Sequence, residues 1–416
     1  MLSSDTTTFA EPQAQPLHDR AEAEAYVASV CFKTGPPALV GVELEWTVHH
    51  ADHPRRPLTT DTLRNALGTH APPLLAPESP HHPLPNGSLI TVEPGGQVEI
   101  STQPAPSLAG LLPVATADIA YLVELLRSAG LRLGKHGIDA HRLPNRLLQV
   151  PRYAAMESAF NRRGPDGRTM MCSTAGLQVC VDAGEPGRVA TRWATAHALG
   201  PLMLAAFANS AEFAGRRTGW ASARMRALFG TDPNRTRAGE VSEDPGGDWA
   251  RRVMDTPVIC LRRPGTCWDA PPGLTFGAWA DGALDRRPTT DDLDYHLTTM
   301  FPPVRPRGYL EIRYLDTQPT GEWVVPVALL LALFHRESTV DSALDAVSAA
   351  ADRWHEAARH GLTDPVLAMV APQVFDLALR ALPELGLPAA TAALVEETVG
   401  YLLAGRAPVG AAEELA

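Results

Sequence analysis

Residues 38–50 read ALVGVELEWTVHH. Val42, Leu44 and Trp46 alternate with Glu43 and Glu45. A period of two places the apolar set on one face of a β-strand and both carboxylates on the other. Three further segments repeat the pattern. Residues 88–104, SLITVEPGGQVEISTQP, predict two short strands around a Pro94-Gly95-Gly96 turn. The second of these carries Gln97, Glu99 and Ser101 on one face and Val98, Ile100 and Thr102 on the other. In residues 173–182, STAGLQVCVD, Gln178, Cys180 and Asp182 oppose Leu177, Val179 and Val181. In residues 308–316, GYLEIRYLD, Tyr309, Glu311 and Arg313 share a face. An antiparallel sheet with one solvated face would explain any one of these strands. Four together, using glutamate where its β-propensity is poor, point instead to a funnel floored with carboxylates. Carboxylates crowded together need a compensating charge. Hard divalent cations such as Mg²⁺ supply it through oxygen ligands, and arginines in the same cavity suggest a magnesium-bound polyphosphate.

Around these strands the chain reads as α+β, a sheet assembled from distant segments with helices packed on it. Residues 1–18 are expected to form a flexible tail and 19–416 a single catalytic domain with a helical C-terminal part. A helix is expected from Asp19 to the break at Gly35-Pro36-Pro37. Another, with Ser107 as N-cap and Gly130 just past its end, covers 107–130. A long Ala- and Leu-rich helix is expected over about 188–213. Residues 214–247, rich in Arg and Gly, read as a loop or lid, and the arginine run 216–237 within them as a mobile phosphate-binding lid in preference to a solvated face. Proline is abundant, 38 of 416 residues, so the connections should be stiff and punctuated.

The 36 Lys and Arg against 47 Asp and Glu give a net charge of −11, which argues against a general nucleic-acid binder. The N-terminal MLSSDTTTFAEPQAQ lacks the basic and apolar regions of a secretory signal. The apolar stretches are broken by proline or charge before membrane-spanning length. The five cysteines form no CxxC pair. The expectation is a soluble cytoplasmic protein with no obligate protein partner. Neither GxxxxGK[ST] nor GxGxxG occurs, so any nucleotide is held without a P-loop.

Read in order, GVELEW, EPGGQVEIS, PRYAAM, MCSTAGLQVCVD, FANSAEFAGRRTGWASARM with TDPNRT, and YLEIRYLD resemble the motif series of plant- and actinobacterial-type glutamate–cysteine ligases. Six short motifs in the right order span residues 41–316. Within that family the resemblance is to the actinobacterial type that supplies γ-glutamylcysteine for ergothioneine synthesis. The resemblance implies a glutamine-synthetase-like antiparallel sheet forming an active-site funnel. It also implies ATP-dependent joining of the glutamate γ-carboxylate to cysteine through a γ-glutamyl phosphate, with ATP as co-substrate and two or more Mg²⁺. Carried over by motif, Glu43, Glu45, Glu93, Glu99 and Glu311 are the expected metal ligands. Gln97, Arg152, Tyr153, Gln178 and Arg224 are the expected substrate contacts, and Arg313 and Arg235 the catalytic arginines. The chain departs from the plant pattern at Cys180, which replaces an Asn-type residue, and at TDPNRTRAG, which replaces a TD-x-x-RTG run.

Two other readings share the residues: a sister ligase of the same fold with a different amine acceptor, and a binding protein that has kept the fold. Retention of the Glu-x-Glu, EPGGQ-x-E and LE-x-R motifs argues against the last. His49-His50 and His81-His82 lack a third ligand and read as structural, while His136 and His141 lie close enough in sequence to the sheet to be weighed as nucleotide contacts. Cys172 and Cys180 lack the partners of a nucleophile. Trp193, Trp323 and Trp354 read as helix packing.

Overall fold

The computed structural model describes residues 14–265 and 267–405. Among them a six-stranded antiparallel sheet is built from β1 (Val40–Trp46), β2 (Leu89–Val92), β3 (Val98–Ser101), β4 (Gly176–Val181), β5 (Val304–Pro306) and β6 (Leu310–Asp316), in the order β2-β3-β1-β4-β6-β5. Around it lie α1 (Arg20–Cys31), α2 (Leu108–Ser128), α3 (Pro151–Asn161), α4 (Val189–Ala206), α5 (Ala223–Thr231), α6 (Pro233–Thr236) and α7 (Pro245–Asp255), followed by a helical C-terminal part. The α+β architecture expected from the alternating strands is the one observed.

Register turns the four separate patterns into one surface. Glu45 lies opposite Glu99 and Glu43 opposite Gln178. Glu311 lies opposite Cys180, two residues beyond Gln178 on β4. Directly opposed residues point to the same side of a sheet. Glu43 and Glu311 therefore share a face. The other face, with Leu44, Ile100, Val179 and Ile312 all buried, packs in one core with the apolar sides of α2 and α4. Helices Leu108–Ser128 and Pro365–Leu385 are long and apolar enough to cross a membrane by composition, against the sequence expectation. Their buried positions, such as Leu122 and Phe375, belong to this same core. A second apolar cluster joins Ala23, Val27 and Cys31 of α1 to Trp249, Val253 and Met254 of α7.

A bulge interrupts β6 between Ile312 and Leu315. The extra residue lets Tyr314 and Leu315 both enter the core and returns Asp316 to the polar face.

The β2–β3 hairpin is clamped by its turn. A Cβ on Gly95 would lie 2.1 Å from the carbonyl oxygen of Cys172. The Gln97 amide donates to the carbonyls of Thr174 (2.8 Å) and Met171 (3.3 Å), and its oxygen accepts from Gly95 N at 3.0 Å. Gly95→Ala must push the hairpin off this backbone. We expect it to destabilise the protein by about 1–3 kcal/mol, the usual range for overpacking, read as a lower urea midpoint with an unchanged slope. An unchanged midpoint would show that the hairpin is not held here.

Three expectations need correction. Residues 1–13 of the expected tail lie outside the described residues, but residues 14–18 are tied down: Leu17 is buried, its N–H donates to Pro288 O, and Gln15 N donates to Thr290 Oγ1. The helix expected over 188–213 ends at Ala206, because the Asp316 carboxylate captures Asn209 N (2.8 Å) and Ser210 Oγ (2.6 Å) and turns the chain. The segment 214–247 carries two helices, α5 capped by Ser222 and α6 by Asp232, and the start of α7, rather than reading as one loop.

Candidate active site

The polar face of the sheet floors a cavity of about 570 Å³. Ten of the twelve residues singled out in the sequence line it: Glu43, Glu45, Glu93, Gln97, Glu99, Arg152, Tyr153, Gln178, Arg224 and Arg313. Strand alternation places the first members. The hairpin clamp brings Glu93 and Glu99 to them, and α3, starting at Pro151, presents Arg152 and Tyr153. Arg152 is fixed at the wall by donating to Thr298 Oγ1 (2.9 Å) and Thr298 O (3.0 Å), with its guanidinium 4.9 Å from the Tyr295 ring centre.

The carboxylates differ in support. Glu45 accepts from Gly176 N at 2.7 Å and from Gln178 Nε2 at 3.1 Å. Glu99 accepts from Thr91 Oγ1 at 2.7 Å and Ser101 Oγ at 3.1 Å. Among the described residues no hydrogen-bond donor reaches the carboxylates of Glu43 or Glu93. These groups are half-buried and open onto the cavity. Burial, then the charges of Glu99 and Glu311, pushes Glu43 up to about 8. Burial and Glu99 push Glu93 up to about 7, and burial and Glu45 push Glu99 to about 7. Glu45 is also raised, by burial and by Glu93. At Glu43, Glu45, Glu93 and Glu99 burial and mutual repulsion thus outweigh the arginines that share the cavity.

Two assignments change. Glu311 is fully buried and does not line the cavity. Its oxygens are held by Arg305 (2.5 and 3.0 Å), Arg313 (3.1 Å) and Arg307 (3.4 Å). Burial alone would raise its pKa, but Arg305 and Arg313 outweigh it and hold the group at about 2. Arg235, expected to close over a nucleotide, is 0% exposed and lies outside the cavity. Its guanidinium donates to Thr299 Oγ1, Thr299 O (3.1 Å) and Pro257 O, and pairs with Asp232 at 3.2 Å. In the short helix α6 it is an internal strut, which the sequence cannot distinguish from a phosphate contact.

The sequence reading missed Arg305 and Arg307, which line the cavity. The available signal was PVRPRG just ahead of the LE-x-R strand: an antiparallel return puts Arg305 opposite Glu311. His136 and His141 are absent from the cavity wall. His136 bonds Asn209 and His141 packs edge-on against His49. The thiols of Cys172 and Cys180 are both pushed up by burial, the opposite of what a nucleophile needs.

Among the described residues no three His, Cys, Asp or Glu side chains converge tightly enough to hold one ion alone. The donor set still fits magnesium. It consists of hard oxygen ligands with unneutralised charge, and Mg²⁺ is usually held by one or two carboxylates together with waters and substrate phosphates rather than by a protein cage.

Comparison with known proteins agrees with this chemistry. Residues 39–396 match the model of Glutamate-cysteine ligase family 2 (GCS2). The chain is 39% identical over 383 residues to the glutamate–cysteine ligase EgtA of Mycobacterium tuberculosis, covering 90% of this chain and 86% of the relative. The chloroplastic glutamate–cysteine ligase of Brassica juncea is 28% identical over 288 residues, 67% of this chain and 55% of the relative. Among solved structures, the glutamate–cysteine ligase of Francisella tularensis in complex with AMP superposes with a TM-score of 0.56 at 15% identity, over 92% of this chain and 86% of that one, a likeness of fold. The chain whose sheet gathers these carboxylates and arginines in one cavity thus belongs to glutamate–cysteine ligase family 2.

Proposed function

We propose that the chain catalyses ATP-dependent ligation of the L-glutamate γ-carboxylate to L-cysteine. The products are γ-glutamylcysteine, ADP and phosphate, formed by a cytoplasmic enzyme at the first step of ergothioneine biosynthesis. The observation that carries the reading is the single cavity in which Glu43, Glu45, Glu93 and Glu99 face Arg152, Arg224, Arg305, Arg307 and Arg313. A site so divided suits a polyanion and its counter-cations together. Glu43, Glu45, Glu93 and Glu99 would hold Mg²⁺, which when bound would neutralise the polyphosphate and polarise the γ-phosphoryl group.

The chain's own residues orient the reactants. The arginines fix phosphate and carboxylate oxygens by planar, bidentate hydrogen bonding and hold the γ-carboxylate in line with the γ-phosphorus. Attack breaks the bond to the ADP oxygen and leaves γ-glutamyl phosphate. The cysteine amine then displaces phosphate, and no protein nucleophile enters. ADP release that requires glutamate, with γ-glutamylcysteine identified by mass only when cysteine is present, is the expected result. Equal turnover with unrelated amines in place of cysteine would overturn the acceptor assignment.

The raised carboxyls predict a pH dependence. Between about pH 4.5 and 8 the folded protein holds more protons on Glu43, Glu93 and Glu99 than the unfolded chain does. Stability of the metal-free protein should therefore fall as pH rises through that window. Binding Mg²⁺ requires the ionised groups, so affinity should rise over the same range with protons released. Titration calorimetry in buffers of different ionisation enthalpy should register proton release at pH 6.5 and less at pH 8.5. Release independent of pH, or unaltered in Glu43→Gln, would contradict the ligand assignment.

A further inference from the structure

Asp316 closes β6 beyond the bulge, and the chemistry above gives it no part. Its carboxylate is 0% exposed. Oδ2 accepts from Ser210 Oγ (2.6 Å) and Asn209 N (2.8 Å), Oδ1 accepts from Ser222 Oγ (2.8 Å), and Oδ1 lies 3.8 Å from Arg224 Nη1. Two segments, 209–210 and 222–224, meet on this one group.

Arg224 is the member of that set that reaches the cavity. Its backbone N–H donates to Ser210 Oγ at 3.2 Å, and its Nη2 donates to Arg313 O at 2.8 Å. The guanidinium lies on Gly176, where a Cβ would fall 2.3 Å from Nη2 and 2.9 Å from Cζ. The carboxylate has matching clearance at Gly137, where a Cβ would fall 2.7 Å from Asp316 Cγ. Both partners thus occupy space that a side chain on either glycine would take. Burial pushes the Arg224 guanidinium down, while Asp316 and then Glu45 hold it up.

We propose that Asp316 is the positioning residue for Arg224, locking its guanidinium flat on Gly176 so that it meets an anionic oxygen of substrate, carboxylate or phosphate, at the cavity wall. The proposal rests on the reading of Arg224 as a substrate contact. Asp316 touches no substrate itself. Its charge and its three donors act through the arginine, as supporting shells do for a binding group.

Asp316→Asn in the full chain is the test. Asparagine can keep the bonds from Asn209 and Ser210 and donate to Ser222, while removing the charge beside Arg224. We expect a near-normal unfolding midpoint and a rise in KM of about tenfold or more, the scale of one charge-assisted hydrogen bond. The rise should fall on glutamate if the bound oxygen is a carboxylate, or on ATP if it is a phosphate, with KM for cysteine changed by less than about twofold. In an Arg224→Ala background the same substitution should cost nothing further. Losses that multiply in the double variant, or equal rises for all three substrates, would make Asp316 a support of the fold only. An impaired Arg224→Ala beside a normal Asp316→Asn sinks the positioning role alone, whereas a normal Arg224→Ala sinks the reading of Arg224 and the proposal with it. Should Asp316→Asn fail to fold, Gly137→Ala displaces the carboxylate with every charge retained. It must then reproduce the substrate-selective rise in KM, and unchanged constants in that variant overturn the proposal.

Discussion

Arg313→Lys is expected to lower kcat by about 100- to 1000-fold, the range seen when one preorganised donor to a developing negative charge is removed. Arg313 projects from β6 on the carboxylate face, and its Nη1 donates to Gln178 Oε1 and to Glu311 Oε2. Those two acceptors fix the guanidinium plane, and burial is outweighed by Glu311 and Glu45, which keep the group firmly cationic. Lysine retains the charge but not the fork, and its flexible stem holds no equivalent geometry. The in-flight phosphoryl group spreads charge over three equatorial oxygens, so the loss should appear in kcat while KM for cysteine moves only a few-fold. Steady-state kinetics with each substrate varied in turn decides the matter. Normal turnover, or a defect confined to cysteine KM, would make Arg313 a structural or acceptor-site residue.

Glu311→Ala should be the most destabilising change in the site, costing about 3–5 kcal/mol, as breaking a buried ion pair does. The carboxylate is fully buried and accepts from Arg305, Arg307 and Arg313 together. Without it, three guanidinium groups stay crowded with no anion among them. The sign of the pH dependence follows from the direction of the shift. Glu311 is held at about 2, below its ordinary value, so its contribution is present above about pH 4.5 and is lost as pH falls toward 2. Urea unfolding at pH 7 and at pH 3 measures both statements. The variant's deficit should be large at pH 7 and smaller at pH 3. A deficit under about 1 kcal/mol at pH 7 would show that the arginines find other partners, in the range typical of exposed pairs.

Much of the site was legible because strand alternation is a local property. The sequence 41–46 alone puts Glu43 and Glu45 on one face, and 97–101 does the same for Gln97 and Glu99, whatever the rest of the chain does. Arg313 follows from Glu311 by the same two-residue step. The motif order then tied these strands to a family fold, and the cavity gathers ten of the twelve residues chosen. The readings that failed depended on what a side chain meets. Arg235 and Arg224 lie eleven residues apart in one arginine-rich segment, yet Arg235 is an internal strut and Arg224 reaches the cavity. Glu311 shares the face of Glu43, yet Arg305 of the neighbouring strand covers it.

The sequence by itself therefore determined the strands, the faces their side chains occupy and the mixture of carboxylates and arginines that points to a metal-bound polyphosphate. Those follow from backbone geometry and charge, which need no partner to be specified. Only the tertiary structure decided which acids stay unneutralised. The pairing of β5 with β6 brings Arg305 onto Glu311, where Arg307 of the turn and Arg313 of the same strand join it, while Glu43 and Glu93 receive no donor among the described residues. It also decided where the chain turns after α4, because a bulge in β6 returns Asp316 to the polar face, where it binds Asn209, Ser210 and Ser222. A carboxylate's role is set by its nearest donors, and for Asp316 two of these, Asn209 and Ser210, come from more than a hundred residues away, beyond the reach of any local pattern.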